Sequence, residues 1–513
     1  MRRSVSAGFC EGRFFDGSRR GAGAVAWLAV LLFALSACTL EPHYSRPAEP
    51  VPSTWNGKAA GSADTARVED LGWRQFFPDP ELQRLIALAL ANNRDLRVAM
   101  LSVQAAQAQY RVQRADLFPT VAISGVEQVQ RFPGGVVATS ASTGGLTGGT
   151  GTPVPGGNTF RFFEVGVGFT SYELDLFGKV RSLNRAALER YFGSEETQRS
   201  SQLTLIAEVA TAYVAILADE TILKVTRQTL ESQTASYDLT KKSLDAGTTT
   251  ALALRQAATT VDTARADLAS YTRQAAQDRN SLMLLIGVPL PADLTFNADI
   301  NTEHMATELP VGMPSEVLVR RPDVLAAEHQ LIAANANIGA ARAAFFPSIT
   351  LTGQGGTASN QLSGLFKPGS AAWSFSPQIT LPIFAGGRNV ANLDLSHVEK
   401  NVSIAQYEKT LQSAFKEVDD ALAARGTLDD QLAAQRALLE DSSESYRLAE
   451  MRFRTGVDSF LPVLDAQRAL YAAQLGVVGL QLLRLENMAT LYKALGGGMR
   501  ADSAGRPMGD NSK

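Results

Sequence analysis

Arg114-Ala115-Asp116-Leu117-Phe118-Pro119-Thr120-Val121-Ala122-Ile123-Ser124-Gly125 is answered later in the chain by Arg342-Ala343-Ala344-Phe345-Phe346-Pro347-Ser348-Ile349-Thr350-Leu351-Thr352-Gly353. In each copy a helical stretch hands over to a short strand whose apolar residues alternate with small or polar ones. At the same offset Asp95, Ala99 and Ala105 are matched by Asp323, Ala327 and Ala333. Further along, Glu208, Val209, Tyr237, Gly247 and Gly287 return as Glu417, Val418, Tyr446, Gly456 and Gly496. The repeat is too long for a solenoid unit and reads as one duplicated half.

A second strand follows in each copy. Val165, Val167 and Phe169 alternate with Glu164, Gly166, Gly168 and Thr170 and continue to Leu174 and Leu176, while Ile379, Leu381 and Ile383 alternate with Gln378, Thr380 and Pro382. One apolar and one polar face at period two is what a lipid-facing, water-lined barrel wall requires. Four strands cannot close a barrel, since about eight are the minimum and an eight-stranded interior is filled by side chains. The barrel must therefore be shared: two chains would give a plugged cylinder, three would give twelve strands and a lumen. Pro133 to Asn158 and Thr357 to Ala372 read as exposed loops joining the strand pairs.

The helices supply the rest of the tube. From Arg181 to Ala246 the pattern is broken only by Gly193, and Val209, Ile216, Leu223, Leu230, Tyr237 and Leu244 fall at intervals of seven. Val418, Leu432, Leu439, Tyr446 and Phe453 take the equivalent places in the second copy, with Arg425 interrupting, while Ile404, Tyr407, Leu411, Phe415 and Leu422 keep spacings of three and four around them. Such a pattern is a coiled-coil seam, and each stretch would reach about 100 Å. Shorter helices flank them at Glu81 to Leu117, Leu252 to Ile286, Asp323 to Phe345 and Leu461 to Leu495. Their polar faces fit either a water-lined wall or a solid bundle, and the strands in both copies favour the hollow form.

Composition narrows the partners. The chain has 513 residues, 45% of them hydrophobic, and a net charge of only -3, which argues against a nucleic-acid partner. Its two cysteines, Cys10 and Cys38, both lie in an N-terminal leader, so the body has no disulfide framework. In that leader Arg2, Arg3, Arg13, Arg19 and Arg20 precede an apolar run from Ala22 to Ala34, followed at once by Leu35-Ser36-Ala37-Cys38. This resembles a bacterial lipoprotein signal, which implies cleavage before Cys38 and acylation of its thiol. Thr39 in place of Asp favours release to the outer membrane within that class of signals. No later segment offers the about 18 to 20 uninterrupted apolar residues of a transmembrane helix, so any crossing must be made by strands.

Chemistry-bearing clusters are sparse. His43, His304, His329 and His397 stand far apart with no metal-ligand spacing, no G-x-S-x-G elbow is present, and Gly178-Lys179 lacks the rest of a phosphate loop. The sequence predicts no enzyme, no metal and no cofactor beyond the lipid on Cys38.

Several motifs, in order and across both copies, carry a resemblance to a known family. They are Glu41-Pro42-His43-Tyr44-Ser45-Arg46-Pro47, Tyr172-Glu173-Leu174-Asp175-Leu176-Phe177-Gly178-Lys179, Arg320-Arg321-Pro322-Asp323, Leu381-Pro382-Ile383-Phe384-Ala385-Gly386-Gly387-Arg388, Arg454-Thr455-Gly456-Val457-Asp458-Ser459 and Leu491-Tyr492-Lys493-Ala494-Leu495-Gly496-Gly497-Gly498. From Cys38 to about Gly498 the chain resembles the TolC-like outer membrane factors, in their lipidated efflux branch. The resemblance implies an α+β membrane protein that assembles as a homotrimer, with a twelve-stranded β-barrel in the outer membrane on a periplasmic α-helical barrel. It implies a passive duct for small molecules, working with a periplasmic adaptor protein and an inner-membrane pump of the resistance-nodulation-division type. The alternatives are a coiled-coil envelope lipoprotein that tethers membranes without a pore, and a type I protein-secretion duct.

The organisation that follows is a signal peptide over 1–37, a lipid-anchored segment over 38–77, a first repeat over 78–290 with strands near 119–131 and 161–176, a connection over 291–313, a second repeat over 314–498 with strands near 347–355 and 374–384, and a disordered tail over 499–513. By resemblance the helix pairs turn at Gly247, Thr248 and Thr249 and at Gly456, Val457, Asp458 and Ser459, and these tips meet the adaptor; as plain sequence they are also simple glycine turns. By the same resemblance Leu461, Asp465 and Phe453 occupy gate positions. Leu461 and Asp465 lie one helical turn apart and so share a face; three copies would give an apolar constriction and an acidic ring. Phe453 stands where relatives often carry Tyr, which removes a hydroxyl latch. The alternative for Asp465 is a solvated charge near a helix start, where carboxylates are favoured anyway.

Overall fold

Backbone pairing organises one part of the chain and helix packing the other. The computed structural model describes residues 39–55, 71–132, 158–296, 300, 304–306 and 317–498. Two compact units are present, one built on Gln109–Leu188 and Ile332–Lys400 with residues up to Tyr44, the other on Ser45–Ala108, Glu189–Leu331 and the chain from Asn401 onward. Cys38, the leader, the tail over 499–513 and most of the Pro133 to Asn158 loop lie outside the described residues.

The first unit holds β1 (Val121–Phe132), β2 (Asn158–Leu174), β3 (Ser348–Ser359) and β4 (Ala371–Thr380). They form one antiparallel sheet in the order β1-β2-β3-β4, so β1 and β4 are each paired on one side only. Opposed across the ladder are Ile123 and Val167, Phe169 and Gly353, Gly353 and Phe375, and Gly355 and Trp373. These pairs put the large apolar residues on one face, where Ile123, Val167, Trp373, Phe375 and Ile379 are exposed. Gly353 is small for a reason: a Cβ there would come within 2.9 Å of the Phe169 ring.

The sequence expectation for β2 hid a break in parity, since Phe169 and Leu174 cannot share a face of an unbroken strand. The structure resolves it with a register shift between Phe169 and Tyr172, where Ser171 adopts φ 55°. The extra residue is a bulge, and it returns Tyr172 and Leu174 to partners Leu351 and Ile349. Leu176 lies past the strand end. Likewise β4 stops at Thr380, so Leu381 and Ile383 are outside it, and β3 runs on to Ser359, shortening the following loop. Pro377 sits within β4, an edge strand of this sheet, where a residue without a backbone N–H donor is tolerated.

The helices are α1 (Trp73–Phe76), α2 (Pro80–Asn92), α3 (Arg94–Ala115), α4 (Lys179–Asp245), α5 (Ala251–Ile286), α6 (Pro322–Ala343), α7 (Arg388–Arg454) and α8 (Leu461–Ala494). The expected helix from Glu81 to Leu117 is two helices. Asn93 breaks it with an extended backbone, its side chain accepting from the Leu96 amide at 2.8 Å and donating to the Leu285 carbonyl at 2.8 Å. At the head of α4, the Asp175 carboxylate accepts from the Arg181 amide at 2.8 Å, and Phe177 stacks on Phe346 at 4.8 Å.

In the second unit Val209, Ile216, Leu223, Val418 and Leu432 are buried, as the seven-residue spacing requires. Helix α4 has no uninterrupted apolar run of that length, yet it contains an 18-residue window apolar enough by length and composition to cross a membrane. Most of that window is buried within the chain's own fold, where Ile206, Tyr213, Val214 and Leu217 pack. A helix apolar on all sides is also what a protein core demands.

Two polar knots fasten this unit. Arg321, 5% exposed, donates to Asp323 at 2.7 Å, to Glu417 at 2.8 Å and to the Ala494 carbonyl at 2.9 Å, joining α6, α7 and the end of α8. Asp79 caps α2 through the Glu81 and Leu82 amides, while its other oxygen accepts from the Tyr213 hydroxyl at 2.9 Å and meets His304 Nδ1 at 2.7 Å. Burial alone would raise the Asp79 carboxyl, but the bonds from His304, Tyr213 and the two amides outweigh it and hold the carboxyl below its ordinary value.

A carboxyl whose folded pKa is depressed stabilises the fold at pH above its unfolded value and loses that contribution as pH falls through the folded value. Asp79→Ala removes a helix cap and leaves two buried donors unmet, an expected loss of about 2 kcal/mol or more. In thermal melts of the purified protein the variant should unfold at lower temperature near neutral pH, and its deficit against wild type should shrink below about pH 4.

Candidate functional site

Two helix turns and the first turns of α8 make the candidate site, all within the second unit. Helix α4 ends in a hydrogen-bonded reversal: the Thr248 amide donates to the Ser243 carbonyl and the Gly247 amide to the Leu244 carbonyl, both at 2.9 Å. Helix α7 ends identically, with the Val457 amide on the Arg452 carbonyl and the Gly456 amide on the Phe453 carbonyl, both at 2.9 Å. This is the Schellman arrangement, which needs a left-handed residue just past the helix. Gly247 supplies φ 69° and Gly456 φ 76°. A Cβ at either would meet nothing within 4 Å, so backbone conformation and not space demands glycine.

The two turns differ in how the next helix starts. Thr250 caps α5 by accepting from the Ala253 amide at 3.2 Å. Helix α8 has no side-chain cap and relies on Pro462 near its start, while an ion pair between Arg452 and Asp458 bridges its turn. Gly247, Thr248, Gly456, Val457 and Ser459 are exposed, and Thr249 and Asp458 half-buried. Nothing in this turn covers Val457, which is 63% exposed.

The three residues assigned to the gate separate into two environments. Phe453 packs against a core cluster of Ala257, Phe460, Val463 and Leu464, joined by Tyr237 and Tyr446, its ring 5.0 Å from that of Phe460. Leu461 and Asp465, one turn apart on α8, are both exposed. The structure therefore brings Leu461 and Asp465 to one open face and sets Phe453 behind them in the packing.

Sequence reasoning missed a polar ladder that ties these helices together. Gln467 donates to the Ser232 hydroxyl at 3.2 Å, Ser232 meets the Tyr446 hydroxyl at 3.3 Å, and Thr226 meets the Tyr471 hydroxyl at 3.1 Å. Burial pushes the Tyr471 hydroxyl up to about 12, so it stays a neutral donor. A signal was available: Asp219, Thr226, Gln233 and Thr240 recur at intervals of seven on α4, and all four are buried. Polar residues at heptad spacing were overlooked beside the apolar seam.

No group of three or more His, Cys, Asp or Glu among the described residues is placed to hold a metal ion. The site's chemistry is shape, one acidic position and two exposed turns.

Comparison with known proteins agrees with this architecture. A family model described as outer membrane efflux protein matches residues 85–288 and 313–497. The probable efflux pump outer membrane protein TtgC of Pseudomonas putida is 48% identical over 92% of this chain and 95% of its own length. A crystal structure of a membrane protein from Pseudomonas aeruginosa, 42% identical, superposes with a TM-score of 0.81 over 90% of this chain and 98% of that one. The open-state outer membrane channel MtrE of Neisseria gonorrhoeae is 40% identical with a TM-score of 0.80, over 90% of this chain and 99% of that one. With two duplicated halves, each matched by the family model across its helices and strands, the chain belongs to the outer membrane efflux protein family.

Proposed function

We propose that this chain is the outer-membrane duct of a tripartite efflux system, three copies of which close one barrel. The observation that carries the reading is the four-stranded sheet whose outer strands β1 and β4 are each paired on one side only, with an exposed apolar face. Unpaired strand edges in hydrocarbon would leave backbone donors and acceptors unmet at several kcal/mol each. Closure by further copies satisfies them, and three copies leave a lumen. A membrane tether has no use for such a sheet.

In this reading Cys38 carries the lipid that anchors the chain to the outer membrane, and the exposed turns at Gly247 to Thr249 and Gly456 to Ser459 receive the periplasmic adaptor. The adaptor in turn joins an inner-membrane pump, which supplies energy and selects cargo. Relatives named as antibiotic, toluene and solvent efflux components make small apolar molecules the favoured cargo over secreted proteins. Leu461 and Asp465 narrow the lumen, the first by an apolar ring that sheds water and the second by an acidic ring that repels anions. The duct catalyses nothing.

Purified, detergent-extracted protein should run as a heat-sensitive trimer and give small single-channel openings in planar bilayers. Replacing Leu461 and Asp465 together by Ala should enlarge those openings several-fold, because both side chains sit on the exposed face and their loss leaves the core cluster intact. Unchanged conductance in a folded, trimeric double variant would remove the constriction from these residues.

A second measurement isolates docking. Val457→Asp places a charge on an exposed turn without touching the Schellman bonds, and should weaken adaptor binding about tenfold or more if the tip is an interface anchor. Trimer stability and bilayer conductance should match wild type, whereas drug tolerance in a strain lacking its own duct should not be restored.

A further inference from the structure

We propose that His329 of α6 is the bolt of a pH-operated clasp, which while protonated holds α6 against α4 where the two helices meet at Gly193, and which loosens that contact as pH rises. The proposal goes beyond the duct reading and does not depend on it. The helices approach closely here: a Cβ at Gly193 would lie 3.2 Å from the Gln330 side-chain nitrogen and 3.4 Å from both the Ala326 carbonyl and the His329 Cβ. Glu189, Phe192 and Glu196 share this face of α4 with Gly193, at spacings of three and four. His329 Nδ1 meets Glu189 Oε2 at 2.8 Å. Its ring lies 5.7 Å from that of Phe192, a range over which an aromatic ring attracts a cation.

What surrounds the imidazole is chiefly acidic. Glu189 and Glu196 act on it from α4, and Glu328 from its own helix. Arg46 of the N-terminal segment donates to both oxygens of Glu328, at 2.8 and 2.6 Å, and so offsets that carboxylate. Tyr407 of α7, near Glu328, has its hydroxyl raised by burial and stays neutral. Arg199 pairs with one oxygen of Glu196, and the neighbouring Glu195 accepts from the Tyr191 hydroxyl. Glu196 is nevertheless 8% exposed, and its Oε2 is buried with no hydrogen-bond partner. A buried carboxylate oxygen without a donor is costly. A positive charge on His329 lowers that cost and, through Glu189, ties α6 to the same face.

The bond to Glu189 raises His329 above its ordinary 6.5; burial works against that rise, and the charges of Glu189, Glu196 and Glu328 add to it. A base whose folded pKa is raised holds its proton more tightly in the closed contact than in the opened one. The stabilisation is therefore full below 6.5 and is lost as pH rises through the folded value. Deprotonation leaves an N–H able to donate to Glu189, but the attraction to the carboxylates goes with the charge. Glu196, raised by burial against the pull of Arg199 and His329, titrates from an ordinary 4.5. Its own contribution is also lost as pH rises, and Glu196→Gln separates it from that of His329.

Hydrogen–deuterium exchange of the detergent-extracted full chain, read by mass spectrometry, measures both halves of the proposal. Exchange at the imidazole C2 position gives the titration midpoint of His329 in its own peptide. Backbone exchange over 189–200 and 322–331, corrected for intrinsic rates, gives the opening of the contact. The midpoint should lie above 6.5 and move down toward it in Glu189→Gln. The opening equilibrium should rise by up to about tenfold per pH unit between 6.5 and that midpoint, the linkage of one proton, and level off beyond it. His329→Gln should remove this rise, and Glu196→Gln should keep it. A midpoint at or below 6.5, a wild-type contact whose exchange ignores pH through the midpoint, or a rise retained in His329→Gln would overturn the clasp. Should His329→Gln not fold, the two wild-type measurements decide by themselves.

Discussion

The ladder edges at β1 and β4 are the constraint on which the rest of the structure depends. Water can satisfy an exposed strand edge, but hydrocarbon cannot, so a sheet of four strands is unfinished wherever its apolar face meets lipid. The side chains are arranged for that setting: Ile123, Val167, Trp373, Phe375 and Ile379 share an exposed face, and the opposite face is left to Ser124, Gln354, Ser374 and Gln378. Such a sheet gains little by folding alone. Among the described residues the buried apolar side chains concentrate in the helices and few belong to the sheet.

Helical packing solves a different problem. Two 67-residue helices, α4 and α7, must pair with neighbours along their length without sliding, and an apolar seam alone is forgiving of register. The polar contacts supply what the seam lacks. Ser232, Tyr446 and Gln467 can meet at only one relative placement of α4, α7 and α8, and Thr226 with Tyr471 fixes the same placement a few turns away. Buried polar pairs contribute modestly to stability, about 1 kcal/mol each, but mispairing them costs more than they add. They act as register pins.

Much of this was legible in the residues because the chain repeats itself. Gly247 and Gly456 correspond in the two copies and take the same left-handed backbone; Gly287 and Gly496 do so as well, at φ 77° and 71°. Tyr237 and Tyr446, another matched pair, end up against one core cluster. What the sequence concealed were features set by single residues. Asn93 ends a helix through two side-chain bonds that no periodicity announces. Ser171 shifts the register of β2 by a bulge, and a strict count of alternate residues hides it. Phe453 was read by its family position and not by its neighbours, though the apolar heptad that includes it already pointed inward. Asp79, Tyr213 and His304 are too far apart in sequence for any pattern to join them.

The placement of Phe453 behind Leu461 and Asp465 has a physical consequence for how such a site can change. Residues that hold the tip together, Phe453, Phe460, Val463 and Leu464, lie on one side of α8, and those that meet the solvent lie on the other. Substitution on the open side costs no packing, since an exposed Leu or Asp contributes little to the fold, whereas substitution on the packed side leaves a cavity. The open face can therefore vary in width and charge while the helix keeps its place. A face built this way is tuned by its surface and positioned by its core, and the single turn between Leu461 and Asp465 is enough to set an apolar and an acidic side chain side by side on it.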